Sequence, residues 1–128
     1  MKNKSKCAFD IYFSDLNNLC VKIISECDFD CIVALKRSGW ILGSILSNKT
    51  NKPVFTPSEI DSIPDKFKKV IIVDDKIHKG KSIRKVLNKL KHKKTYTACL
   101  YVEGDVFPDI YIRSLNNVIS KMWYEKNW

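Results

Sequence analysis

The chain has 128 residues, of which 23 are lysine or arginine and 14 are acidic, giving a formal net charge of +9. This length predicts one domain over residues 1–128 with a hydrophobic core, and no apolar stretch is long enough to span a membrane. The basic amino terminus lacks the apolar core of a signal peptide. The five cysteines show no spacing typical of metal ligands, which favours free thiols in a reducing cytoplasm over disulfides or zinc.

Helix and strand patterns alternate through the first half of the chain, with Ser14 as a candidate N-cap for the first helix. The predicted elements are a helix over 14–27, a short buried strand over 31–35, a turn over 36–39 that leads into a helix ending near residue 46, a short strand over 52–55 and a polar segment over 56–68. Alternation of this kind is typical of βαβ units.

The centre of the chain is its most informative part. An unbroken run of β-branched residues over 70–73 predicts a strand buried on both faces, and the run ends at Asp74 and Asp75. A short turn containing Gly80 follows, and apolar residues then recur at helical spacing over 83–90. This order predicts a site at the carboxyl end of a parallel strand, where the N–H groups of a helix N-terminus bind phosphate.

The remaining elements complete an α/β fold. Residues 95–102 predict another strand, and 109–112 and 117–119 predict short extended segments. Strands that alternate with helices indicate a single-domain α/β protein with a mostly parallel central sheet flanked by helices.

One competing interpretation of the central turn is a nucleoside-triphosphate P-loop, because Gly80, Lys81 and Ser82 match the last three positions of that motif. The motif also needs a glycine five residues before Gly80, and that position is Asp75. A carboxylate there would repel the phosphates, so we reject the P-loop.

The central segment instead resembles the phosphoribosyl-pyrophosphate loop of the type I phosphoribosyltransferases. Four apolar residues, two acids and two variable residues precede a small loop that ends in Gly-x-Ser. The resemblance implies that Asp74 and Asp75 engage the ribose hydroxyls, directly or through magnesium, and act in catalysis. It also implies a loop that wraps the 5-phosphate with backbone N–H groups and the Ser82 hydroxyl, formed by His78, Lys79, Gly80, Lys81 and Ser82.

The turn before the second helix carries two cations, Lys36 and Arg37, which suit a pyrophosphate beside a helix N-terminus. Together with Ser38 and Gly39 it resembles the pyrophosphate loop of the xanthine-guanine and related purine phosphoribosyltransferases. In this chain Ser38 replaces a glycine of that pattern, and Trp40 stands where a smaller apolar residue is usual. The family needs both loops in this order along the chain.

Two further assignments rest on the resemblance. His78 occupies the place of an aspartate that handles a purine ring proton in many of these enzymes, so it is a candidate general acid–base; alternatively it contributes only its backbone N–H. In the tail, the resemblance places Val118 or Ile119 near the base pocket and makes Glu125 a ligand of magnesium alongside Asp75.

Some features depart from the family pattern. Only residues 56–69 fill the gap that holds the family's flexible catalytic loop, so we expect a short flexible loop and a reduced hood. In purine enzymes of the family a lysine usually recognises the ring oxygen of the base. In this chain the corresponding place, after the next strand, is occupied by the segment that begins at Tyr101. The basic run at Lys89, Lys91, Lys93 and Lys94 favours a solvated helix end over a nucleic-acid surface.

We therefore expect a cytoplasmic phosphoribosyltransferase of nucleotide salvage. It would use Mg²⁺ to transfer ribose 5-phosphate from phosphoribosyl pyrophosphate to a nitrogenous base, with purines closest in pattern, and release pyrophosphate. By analogy with small members of the family, it would be a homodimer. The alternative is a non-catalytic regulator of the same fold that senses phosphoribosyl pyrophosphate or a nucleotide and binds nucleic acid. A related pyrophosphate-cleaving enzyme is a third possibility.

Overall fold

The computed structural model describes residues 4–115, with side chains from residue 10 onward except that of Lys36. It contains three α-helices, one 3-10 helix and five strands. In chain order these are α1 (Lys4–Glu26), β1 (Cys31–Ala34), α2 (Lys36–Thr50), β2 (Val54–Phe55), the 3-10 helix (Pro57–Ser62), β3 (Lys69–Ile77), α3 (Lys81–Lys89), β4 (Lys94–Val102) and β5 (Ile110–Ser114). None of the helices within residues 4–115 has the length and apolar character needed to cross a membrane.

The five strands form one parallel sheet in the order β2-β1-β3-β4-β5. The prediction of an α/β domain with a parallel central sheet is confirmed. The chain moves outward from β1 to β2 and then returns to place β3 on the other side of β1. Ligands of open α/β sheets bind beside the carboxyl ends of the two strands at such a reversal. Here those strands are β1 and β3, from which both predicted anion-binding loops arise.

Two apolar layers cover the sheet, and β3 contributes to both because its side chains alternate between faces. On one face Leu19 of α1 and Leu42 of α2 pack with Ile71 and Val73. On the other face the residues of α3 and the 3-10 helix pack with the alternate positions of β3; they include Ile60, Ile63, Ile83, Val86, Val70 and Ile72. Burial of β3 on both faces agrees with its continuous apolar run.

Several element boundaries differ from the prediction, including those of the first helix and of β3. The first helix begins at Lys4, ten residues before the predicted N-cap, and Ser14 lies exposed within it. The acid pair does not end β3, because the strand continues to Ile77. Beyond the acids, Lys76 and Ile77 still pair with β4, and Ile77 is buried in the second apolar layer. A long neighbouring strand therefore extends the ladder past the point where the apolar run stops.

The segment expected to hold a short flexible loop is packed against the core. It opens on a capping box in which Thr56 and Glu59 satisfy each other's backbone N–H groups. Ile60 and Ile63 are both 6% exposed and belong to the second apolar layer. The segment after β2 is therefore anchored as a 3-10 turn, and burial of its two isoleucines opposes its movement over the sheet edge.

Candidate functional site

The loop between β3 and α3 forms a small cavity at the carboxyl edge of the sheet. Gly80 is the N-cap of α3 and adopts a left-handed conformation, with φ 75° and ψ 14°. That conformation favours glycine, and no side chain caps the first N–H groups of α3. The cavity has a volume of about 180 Å³ and is lined by Asp74 and by residues 76–83. All five residues of the predicted 5-phosphate loop therefore line one cavity.

The segment that connects β4 to β5 packs closely against this loop. A Cβ at Gly80 would lie 2.8 Å from Cγ1 of Val106, and one at Gly104 would overlap the carbonyl oxygen of His78. From the other side, Nη2 of Arg84 donates a hydrogen bond of 2.8 Å to the carbonyl of Lys79. The sequence reasoning missed Gly104 and Val106, since only the fold brings them against the loop.

We expect Gly104→Ala to displace the loop, because the added methyl group would overlap the backbone of His78. The free energy of unfolding should fall by about 1–3 kcal/mol, as for other overpacked sites. Urea denaturation measures the change. The neighbouring Asp105→Ala, at an exposed position, should have an effect within about 0.5 kcal/mol. Equal stability of the two variants would contradict the proposed contact.

The acid pair lies where the two loops meet. Asp74 is 2% exposed, and its Oδ1 accepts a hydrogen bond of 2.8 Å from the N–H of Asp75. A Cβ on Gly39 would lie 3.1 Å from the carbonyl oxygen of Val73 and 3.2 Å from Cα of Asp74. The first turn of α2 therefore packs directly on Val73 and Asp74, and glycine permits this close approach.

The two acids have different surroundings. Asp74 lines the loop cavity. Asp75 is half-buried, and its charge acts on Tyr12 of α1, whose pKa is raised by burial first and by Asp75 second. Burial and the charge of Asp74 raise the pKa of the neighbouring Cys99 thiol to about 12, so this thiol is neutral at physiological pH. The pair therefore presents one carboxylate to the loop cavity and one towards α1.

The predicted turn over residues 36–39 is wrong in one respect: these residues form the first turn of α2. Leu35 is its N-cap, and its N–H donates to the carbonyl of Val73 across 2.9 Å. No side chain caps the helix, so its first N–H groups are available to an anion. Arg37 is exposed beside them, Ser38 is half-buried and Gly39 is buried.

A second cavity, of about 480 Å³, adjoins the start of α2. Its lining includes Arg37, Trp40 and Pro57. Trp40 is 39% exposed. The bulky residue that departs from the family pattern therefore helps to form a wall beside the candidate pyrophosphate site.

Several exposed cations surround the loop cavity. Lys76 pairs with Glu103 across 3.2 Å, and Lys79 and Lys81 are exposed at the loop itself. His78 lines the cavity with an exposed side chain, which is compatible with either of its two predicted roles. The positive surroundings suit a phosphate group.

An ion pair between a buried carboxylate and an exposed arginine, near the carboxyl ends of β4 and β5, escaped the sequence reasoning. Asp15 of α1 is 2% exposed and accepts hydrogen bonds from Nε and Nη2 of Arg113, at 2.8 and 3.1 Å. The hydroxyl of Tyr101 donates to the same carboxylate across 2.9 Å. Burial and Asp15 raise the pKa of Tyr101 to about 12. The sequence signal that could have indicated this ion pair was the position of Asp15, an acidic residue on the apolar face of the first helix.

We expect Arg113→Gln to lower the free energy of unfolding by about 1–3 kcal/mol, because the buried carboxylate of Asp15 loses its charged partner. Adding Asp15→Asn should recover part of that loss. A double-mutant cycle followed by urea denaturation should therefore give a coupling energy of at least about 0.5 kcal/mol. Additive effects of the two substitutions would show that the pair contributes nothing to stability.

The assignments in the tail lie outside the described residues: Val118, Ile119 and Glu125 belong to segment 116–128. Within residues 4–115 no group of three or more His, Cys, Asp or Glu side chains could hold a metal ion by itself. Magnesium commonly binds through one or two carboxylates together with substrate phosphates, and Asp74 and Asp75 are suitable oxygen donors for that arrangement.

No protein-family model matches the chain, and no curated protein matches its sequence. Solved structures do match. The Helicobacter pylori xanthine-guanine-hypoxanthine phosphoribosyltransferase aligns over 91% of this chain and 95% of its own, with a TM-score of 0.72 and 21% identity. A purine phosphoribosyltransferase from Pyrococcus horikoshii aligns over 81% and 82%, with a TM-score of 0.65 and 25% identity.

A third structure, a hypothetical protein from Neisseria gonorrhoeae with bound ppGpp, aligns over 91% of both chains with a TM-score of 0.63 and 14% identity. Each of these similarities covers at least 81% of this chain. The resemblance seen in the motifs is thus confirmed at the level of the fold. The chain has the fold of the type I phosphoribosyltransferases.

Proposed function

We propose that this protein is a phosphoribosyltransferase that transfers ribose 5-phosphate from phosphoribosyl pyrophosphate to a nitrogenous base and releases pyrophosphate. One observation supports this above the others. Two uncapped helix N-termini, of α2 and α3, lie at the carboxyl ends of the adjacent strands β1 and β3, and Asp74 lies between them. Phosphoribosyl pyrophosphate has an anionic group at each end and a sugar with two hydroxyls in between.

In this proposal each part of the substrate has a partner of suitable chemistry. The loop over residues 78–82 would hold the 5-phosphate by its backbone N–H groups and the Ser82 hydroxyl. The first turn of α2 and Arg37 would hold the pyrophosphate. Asp74 and Asp75 would accept hydrogen bonds from the ribose hydroxyls. Phosphate groups then lie on either side of the acid pair.

The residues would act on the charges that develop during transfer. The bond from the anomeric carbon to the pyrophosphate oxygen breaks while a bond to the base nitrogen forms. Arg37 and the N–H groups of α2 would stabilise the negative charge that grows on pyrophosphate. The carboxylates of Asp74 and Asp75 would stabilise the positive charge at the sugar. Bound magnesium would supply further charge neutralisation on the phosphate oxygens.

The acceptor base and its proton complete the chemistry of the proposal. A purine is the proposed acceptor, because the loops are closest in pattern to those of the purine enzymes. His78 lines the loop cavity and would accept the proton that the base nitrogen loses. The magnesium ligands of the proposal are Asp75 and Glu125, with Val118 or Ile119 beside the base.

We also propose that the protein is a homodimer and that it acts in nucleotide salvage in the cytoplasm. Light scattering in solution tests the dimer.

The direct test is an assay of the purified protein with phosphoribosyl pyrophosphate, magnesium chloride and one base at a time. The panel should contain guanine, hypoxanthine, xanthine, adenine, orotate and uracil. We expect a nucleoside monophosphate and an equal amount of pyrophosphate with at least one purine. Product formed only with a pyrimidine would retain the reaction and correct the acceptor. Failure to form product with any base would contradict the proposal.

A second candidate function is the sensing of a nucleotide without catalysis. The observation that favours it is the packed segment after β2, since Ile60 and Ile63 anchor it where a closing loop would be needed to exclude water. The gonococcal protein of similar fold holds ppGpp. Calorimetric titration with phosphoribosyl pyrophosphate, GMP and ppGpp separates the two functions. Tight binding of a nucleotide, with no turnover of any base, would favour the sensor.

A further inference from the structure

The amino-terminal end of the sheet, opposite the candidate active site, gathers lysines from two separate segments. Lys69 and Lys94 begin β3 and β4 and are register partners, and the N–H of Lys94 donates to the carbonyl of Lys68 across 2.9 Å. This pairing sets the loop before β3 beside the end of α3. We call the resulting surface the basic face; its members are Lys66, Lys68, Lys69, Lys89, Lys91, Lys93 and Lys94.

Acidic side chains offset only part of this charge. Asp28 pairs with Lys69 across 2.8 Å. Asp30 accepts the backbone N–H groups of Lys68 and Lys69, at 2.8 and 3.0 Å, and Asp65 is an exposed carboxylate in the preceding loop. Among the side chains that the structure describes, the other lysines of the basic face have no carboxylate within ion-pair distance. The face therefore keeps an excess of positive charge.

Solvation of a helix end does not account for the whole basic face. Lys89 and Lys91 lie at the carboxyl end of α3, where cations complement the helix dipole. Lys66 and Lys68 belong to a different segment and have no such helix to complement. That segment is held in place, because Nζ of Lys93 donates to the carbonyl of Phe67 across 2.6 Å. The two basic segments thus form one preorganised surface.

Aromatic rings border the basic face. Nζ of Lys66 lies 5.6 Å from the centroid of the Phe67 ring, and Nζ of Lys94 lies 5.6 Å from that of Tyr96. Both residues are half-buried: Phe67 packs against the second apolar layer and Tyr96 against the first, so the two rings border the basic face from opposite faces of the sheet. Lysines interleaved with partly exposed aromatic residues are typical of surfaces that bind single-stranded nucleic acid, in which cations contact the backbone and bases stack on rings.

We propose that the basic face binds single-stranded nucleic acid. The lysines would contact phosphates, and Phe67 and Tyr96 would contact bases. The face is separated from the loop cavity by the length of β3, which for nine residues is about 26–30 Å. A substrate bound at the candidate active site cannot reach these lysines. The proposal therefore stands independently of the phosphoribosyltransferase function.

The test is fluorescence anisotropy of a labelled oligouridine with the full chain at several KCl concentrations. If four or five phosphates are contacted, the slope of log K against log salt should be about −3 for a single strand. The variant Lys68→Gln/Lys91→Gln/Lys94→Gln should weaken binding at least about tenfold and flatten the slope by about 2. These positions spare Lys69 and Lys93, whose side chains hold neighbouring segments.

A matched control removes the same charge elsewhere. Lys22, Lys49 and Lys85 are exposed and lie outside the basic face. The variant Lys22→Gln/Lys49→Gln/Lys85→Gln should keep the slope within about 0.5 and the affinity within about twofold. Asp74→Asn should also leave oligouridine binding unchanged, which separates this proposal from the enzymatic one.

Three outcomes would overturn the proposal. One is no salt-dependent binding of the oligouridine by the unmodified chain. Another is an equal loss in the two triple variants, which would show that total charge and not the basic face is responsible. The third is binding to phosphatidylserine vesicles without binding to oligouridine, which would indicate an anionic membrane surface as the partner.

Discussion

Replacing Asp74 by asparagine should lower kcat/KM for phosphoribosyl transfer by about 100- to 1000-fold, the size of effect seen when one preorganised electrostatic contact to a transition state is removed. The substitution keeps the shape of the side chain, and the amide oxygen can still accept the N–H of Asp75. It removes a charge that is 2% exposed, where solvent screens it poorly. Steady-state kinetics measures the change.

The control for this variant is Asp105→Asn, which removes a carboxylate from an exposed position of the loop after β4. It should retain activity within about twofold, since isolated surface charges contribute little. Thermal melts should show that both proteins are folded. An Asp74→Asn enzyme with activity close to that of the unmodified chain would remove Asp74 from the reaction.

Replacing Gly39 by valine should impair both stability and the candidate site. The added Cβ would lie 3.1 Å from the carbonyl oxygen of Val73 and 3.2 Å from Cα of Asp74. The first turn of α2 must then move away from the acid pair. We expect a loss of about 1–3 kcal/mol in the free energy of unfolding. We also expect about a 100-fold loss of turnover, since a shift of 1 Å in a reacting group has such effects.

Gly43 provides a matched control in the same helix. A Cβ there would lie 2.9 Å from Cβ of Ala34 and 3.2 Å from Cγ2 of Val54, so Gly43→Val strains the packing of α2 without touching the acid pair. It should lose a similar amount of stability while turnover per folded molecule stays within about threefold. If both valine variants lose turnover equally, contact between α2 and Asp74 is not what organises the site.

The architecture was predictable because local patterns and the global fold agree. The β-branched run over residues 70–73 is buried on both faces as its composition indicated. The order of strands and helices required a parallel sheet, and the motif before α3 located the loop cavity. In these regions each element's own sequence determines which of its faces are buried.

Contacts between distant segments could not be predicted. The continuation of β3 to Ile77 depends on the ladder with β4, which is absent from any local pattern. Two contacts join residues that are far apart in the chain: the close approach of Gly104 to the backbone of His78, and the ion pair of Asp15 with Arg113. The lysine run near Lys91 was visible in the sequence. The other half of the basic face, before β3, could not be placed beside that run without the pairing register of β3 and β4.

A crystal structure of the protein with phosphoribosyl pyrophosphate and magnesium tests the central claim most directly. We predict that the 5-phosphate lies in the cavity over residues 78–82, with its oxygens about 2.7–3.2 Å from backbone N–H groups at the start of α3 and the ribose hydroxyls on Asp74. The pyrophosphate should lie at the first turn of α2. A substrate bound elsewhere, with that cavity empty and the acids uncontacted, would contradict the account.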